Sequence, residues 1–159
     1  MSILVQPTVA SKPRTPESAK IAILYAAILT IMAVAQLFSF EDFLVYMHSL
    51  ALPLPSELAY LVAPLLIVCE VFALPFLLRM SLSPAFRFLS MVLSWLAAGI
   101  WIYLTIWIVA SAAPVSTIGF LGTVVDLTPG YWAIFISLSF GILAAWSGWG
   151  LWPGKRSRT

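Results

Sequence analysis

Four long apolar runs, Ile21–Phe40, Glu57–Leu78, Phe88–Ala113 and Tyr131–Leu151, dominate this 159-residue chain and restrict what it can fold into. Each approaches or exceeds the ~20 residues that carry a helix across a ~30 Å hydrocarbon core. In lipid an unpaired backbone group is costly, so only helices and closed barrels span a bilayer. The runs are too long and too continuously apolar for barrel strands. With 62% hydrophobic and only 9% charged residues, the chain lies far from the composition of a soluble domain. The expected fold is all-α: an integral membrane four-helix bundle over residues 21–152, flanked by a disordered tail at 1–20 and a basic tail at 153–159. The run after the first tail is too long for the core of a signal peptide and lacks an obvious small-residue cleavage site.

Charge placement gives an orientation. All eight Lys and Arg residues fall in the two tails or in the connection containing Arg79 and Arg87, while the other two connections hold Glu41, Asp42 and Asp126. The positive-inside rule then predicts cytoplasmic N- and C-termini in a multi-pass protein of the inner (plasma) membrane. Anionic lipid is a sufficient partner for the basic tails, and no nucleic acid is needed to explain them.

The connection after the first run is structured. Ser39-Phe40-Glu41-Asp42 offers a serine N-cap with an acidic residue three places on, a variant of the capping box. Phe43, Tyr46, Met47 and Leu50 follow at i, i+3, i+4 and i+7, which predicts a short amphipathic helix between the first and second spans. Pro53 and Pro55 end it. The connection from Pro114 to Tyr131 reads as a loop, with Thr128-Pro129 suited to cap the fourth span.

Glu70 is the best-placed chemical group, near the middle of the second span. A charged side chain at the bilayer centre costs ~2.5–3.5 kcal/mol on insertion scales, so such a residue faces protein or water and usually has a task. Pro64 and Pro75 lie on either side of it, each removing a backbone donor and freeing a carbonyl. Kinks are expected at both, with the freed carbonyls available to water or to a protonated acid.

The remaining candidates are few. Cys69 is the single cysteine, so an intramolecular disulfide or CxxC pair is excluded and packing is its expected role. His48, the single histidine, is a poor metal site alone, although Glu41, Asp42 and Glu57 could approach it in space. No metal is expected. Trp95, Trp101, Tyr103 and Trp107 read first as interfacial anchors and packing groups, with a quinone-stacking surface as the sharper alternative. Ser137, Gly141 and Ala145 form a small-residue face for close helix approach, and Trp146, Trp149 and Trp152 an interfacial belt.

Ala35-Gln36-Leu37, Glu41-Asp42-Phe43, a proline-containing connection, and then Ala63-Pro64 with Glu70 in the next span together resemble the DoxX/MauE-like family of small four-helix membrane proteins. The likeness covers residues 21–88 and continues beyond only as topology. Gln36 stands where that family often has lysine, so an intramembrane Lys–Glu pair is absent and Gln36 joins Glu70 as a buried functional candidate. Ile118-Gly119-Phe120-Leu121-Gly122 lies about where some members carry a Cys-Gly-Cys-Phe-Gly motif, so thiol chemistry is not implied. The resemblance implies an accessory component of a membrane redox system, quinone-linked or maturing periplasmic redox enzymes, not catalytic alone, with quinone as the cofactor to consider and membrane subunits as partners. The alternative is a structural subunit of a larger membrane complex. A single acidic residue makes a poor path for a transporter or proton channel. Cys69, His48 and Asp126 are the weaker site candidates.

Overall fold

The computed structural model describes residues 8–10, 12–113 and 115–152, with the side chains of residues 56 and 57 left aside. Five helices appear in chain order: α1 Pro16–Phe38, α2 Phe40–Ser49, α3 Ser56–Leu77, α4 Pro84–Ala110 and α5 Tyr131–Leu151. Four of them, α1, α3, α4 and α5, are long and apolar enough to cross a membrane, and α2 is the short amphipathic helix between the first two. Each long helix buries only one stripe and leaves large apolar side chains such as Ile31, Leu61, Phe88 and Phe135 outward, the pattern of a bundle solvated by lipid. The helices form a ring in which α1 packs on α3 and α5, and α4 packs on the same two, so α1 and α4 face each other across the centre. Tyr25 crosses that centre and donates from its hydroxyl to the Ser94 carbonyl at 2.9 Å.

Small residues set the closest approaches. A Cβ at Gly150 would lie 2.2 Å from Ser18 Cβ, so α1 and α5 meet there without room for a methyl group. The buried stripe of α5 runs through Ala133, Ser137, Phe140, Ala144, Ser147 and Gly148. The small-residue face expected at Ser137, Gly141 and Ala145 is therefore rotated: Ser137 is buried, whereas Gly141 and Ala145 sit at its edge.

The helix boundaries correct several expectations. Thr15 caps α1, accepting from Ser18 N at 3.2 Å, with Pro16 in the first turn, so residues 16–20 are helix and not tail. Ahead of it, Thr8 N donates to Leu82 O, Arg87 Nη2 donates to Thr8 O at 2.7 Å, and Arg14 N donates to Gly150 O while its guanidinium lies over Trp149. The described part of the expected tail is thus tied across one end of the bundle. Residues 1–7 and the basic segment 153–159 lie outside the described residues. Ser39 precedes α2 but makes no side-chain cap; its hydroxyl instead donates to Ala35 O. Gly130, not Thr128, caps α5. α3 and α4 stop at Arg79 and Ala112, non-glycine residues with φ of 58° and 47°. After α3, Met80 N donates to Pro75 O and Arg79 N to Phe76 O, the pair of bonds that defines a Schellman stop.

Around Pro75 the backbone opened by the ring is repaired from the next helix. Ser90 on α4 accepts from Phe76 N at 3.1 Å and donates to the Phe72 carbonyl, inserting its hydroxyl into the α3 ladder. That is how a proline is tolerated in a spanning helix; the carbonyl left without a donor by Pro75 itself is that of Val71, one turn back.

Candidate functional site: a carboxyl under an inserted loop

Glu70 on α3, Gln36 on α1 and Trp101 on α4 meet in the bundle, each with no exposed surface. Helical Cα–Cβ bonds tilt toward the helix N-terminus. α1 and α3 run in opposite directions, so the long side chains of Gln36 and Glu70 extend toward one another along the bundle axis. Gln36 Nε2 donates to Glu70 Oε1 at 3.3 Å, and the Trp101 indole Nε1 donates to the same oxygen at 2.8 Å. Glu70 and Gln36, the two buried candidates of the sequence, are in contact. Trp101 is the member that sequence does not single out, because its tryptophan-rich helix resembles an anchor; only the 3.6-residue periodicity joining Ala97, Ala98, Trp101, Leu104 and Thr105 on one buried face distinguishes it. Trp95 and Tyr103 stay half exposed, as anchors do.

The third connection supplies the other wall. Instead of lying wholly over the bundle, the loop over residues 115–128 sinks its segment Thr117–Gly122 into it, while Val124–Asp126 stay exposed. Thr117 Oγ1 knits the loop together, donating to Val125 O and accepting from the N–H groups of Gly119 and Leu127. Phe120 enters the core between Trp101 and Phe140, edge-on to both at centroid distances of 4.8 and 5.5 Å. Its carbonyl accepts a second bond from Gln36 Nε2 at 3.2 Å. Tyr46 on α2 donates to Thr117 O at 2.9 Å, and Thr123 N donates to Ser39 Oγ at 3.1 Å. Burial pushes the Tyr46 phenol pKa up, which keeps this donor protonated.

Two glycines permit the insertion. Gly119 and Gly122 have φ of 83° and 61°, where a side chain is strained, and neither has room for one. A Cβ at Gly122 would fall 2.4 Å from Ser39 Oγ and 3.1 Å from Gln36 Cα; at Gly119 it would fall 2.6 Å from the Tyr46 ring.

Two acceptors in the centre have no partner: Glu70 Oε2 and Gln36 Oε1. Buried polar atoms are normally hydrogen-bonded, and an orphan in a native core calls for an explanation. Both orphans are oxygens, so what complements them is a donor: an O–H group, a water or a proton.

The other candidates lie elsewhere. Cys69 is buried beside Glu70 in sequence but joins no cluster. His48 is exposed and stacks on Tyr60 at 4.5 Å, and Asp126 is exposed on the loop. Among the described residues no group of three His, Cys, Asp or Glu side chains is placed to hold a metal. Compared with protein-family models, curated proteins and solved structures, the chain matches none.

Proposed function

We propose that this chain is an accessory component of a redox system in the inner membrane, with both termini cytoplasmic and Glu70 as its working group. The observation that carries the reading is the pair of unpartnered acceptors, Glu70 Oε2 and Gln36 Oε1, in the membrane interior. A bundle that needed only packing would gain from an apolar core there, because a half-satisfied buried polar network costs stability. The segregation of basic residues supports the orientation, and the resemblance of residues 21–88 to DoxX/MauE-like proteins supports the redox association.

The two unpartnered acceptors also discriminate between redox forms of the implied cofactor. A quinone offers only acceptors, whereas the hydroxyl of a quinol complements Glu70 Oε2 and Gln36 Oε1. Such a group, when bound, would supply reducing equivalents; Gln36 Oε1 and Glu70 Oε2 would hold and orient its hydroxyl, and the Glu70 carboxylate would take up its proton.

A structural-subunit role is favoured by one separate feature. α5 turns an aromatic face outward, with a groove of about 490 Å³ lined by Ile142, Ala145, Trp146 and Trp149. Isolation in mild detergent from its native membrane separates the readings. Co-isolated redox subunits or extractable quinol, together with loss of quinol-linked electron transfer in Glu70→Gln at unchanged protein abundance, support the proposal. Unchanged turnover in that variant, with neither quinol nor redox subunits retained, overturns it.

A further inference from the structure

We infer that the loop over residues 115–128 is a gate, and that Glu70 exchanges protons or O–H donors with the external aqueous phase through it. The inference rests on the orientation and on the working role for Glu70 proposed above.

Three observations place the gate. Gln36, the residue that links the site to the loop, lies in the last turn of α1, at the end of the bundle opposite Arg79 and Arg87. Its carboxamide nitrogen donates one N–H to Glu70 Oε1 and the other to the Phe120 carbonyl, so a single side chain ties the acid to the loop. The loop is held to the helices by single bonds, Tyr46 to Thr117 O, Gln36 Nε2 to Phe120 O and Thr123 N to Ser39 Oγ, and by the buried Ile118 and Phe120 side chains, with no disulfide or ion pair among them. Each bond contributes on the order of 1 kcal/mol. Toward the opposite end the centre is closed by helix-on-helix packing, with Tyr25 bonded across to Ser94 O and Ser90 locked into the α3 backbone. Displacing Phe120 therefore opens the loop end of this centre by giving up one hydrogen bond and the burial of one ring, whereas the opposite end opens only by parting the helices.

Phe120 is the moving part in this reading. Withdrawal of its ring opens the wall beside Trp101, and loss of its carbonyl leaves one Gln36 N–H to be taken up by water, while the other stays on Glu70 Oε1. Through the open loop, water or a proton passes between Glu70 and the external phase; a quinol, being lipid-soluble, has no need of this route.

The test uses a single reporter thiol, Glu70→Cys with Cys69→Ser, in intact cells and in inverted vesicles, with a membrane-impermeant cationic methanethiosulfonate as the probe. Asp126→Cys and Ser81→Cys serve as markers for the two sides, and the first should be modified only from outside. The reporter should react slowly from outside. Tyr46→Phe should accelerate it about fivefold, the equivalent of losing one bond of ~1 kcal/mol, and Gly122→Val, which expels the loop, by at least about tenfold. Reaction from the cytoplasmic side should ignore both changes. Equal outside rates in all three loop backgrounds, or faster reaction from inside, overturn the gate.

Should the reporter variant fail to accumulate, solvent exchange of the Trp101 indole N–H in the chain with Glu70 intact reads the same opening. Its rate should rise in Tyr46→Phe, and an unchanged rate overturns the gate. Neither readout involves electron transfer, so the gate and the redox association stand or fall separately.

Discussion

Replacing Glu70 tests whether the centre is a hydrogen-bonded unit. In Glu70→Leu the Trp101 indole loses its one partner at 2.8 Å, while Gln36 Nε2 loses a longer bond at 3.3 Å but keeps the Phe120 carbonyl. One donor is therefore fully orphaned and one weakened. An orphaned buried donor costs ~1–3 kcal/mol in soluble proteins, but side-chain bonds in membrane bundles average ~0.6 and reach ~1.7 kcal/mol. Weighting toward the membrane values, Glu70→Leu should be about 1.5–3 kcal/mol less stable than Glu70→Gln. Glu70→Gln keeps an oxygen for both donors and places an N–H₂ where Oε2 was, so it should stay within ~1 kcal/mol of the parent. Reversible unfolding in mixed detergent and SDS micelles, followed by tryptophan fluorescence, measures the difference. A Leu variant as stable as the Gln variant would refute the claim that Glu70 is held by Trp101 and Gln36.

Two further perturbations probe the frame around that centre. Ser90→Ala removes the hydroxyl inserted between Phe72 O and Phe76 N; it should cost about 1–2 kcal/mol in the same unfolding assay, and Ser90→Thr should restore most of it. Gly150→Ala sets a methyl group against Ser18 and should destabilise the α1–α5 contact, whereas Gly99→Ala, with open space around it, should be neutral or stabilising by up to ~1 kcal/mol through helix propensity; equal melting temperatures for the two would show that the helices approach differently.

The sequence by itself determined the class, the number of spans and the amphipathic helix, because these follow from local, additive properties. A bilayer demands runs of fixed length, and Phe43, Tyr46, Met47 and Leu50 recur at helical spacing whatever they pack against. Glu70 was legible for the same reason: a carboxyl inside an apolar run is an anomaly within its own segment. Helix stops were less legible. Arg79 and Ala112 take left-handed conformations that glycine usually signals, and the hydroxyl that repairs α3 at Pro75 comes from Ser90 on another helix. The site itself was decided by tertiary structure. Nothing local marks Trp101 as the indole that binds Glu70, since its neighbours Trp95 and Trp107 share its composition but not its face. Ile118-Gly119-Phe120-Leu121-Gly122 reads as an apolar loop until Gly119 and Gly122, packed against Tyr46 and Ser39, let it sink between α1, α4 and α5. Hydrogen bonds between residues as far apart as Gln36 and Phe120 exist only once the bundle has closed, and they decide which buried atoms are left without a partner.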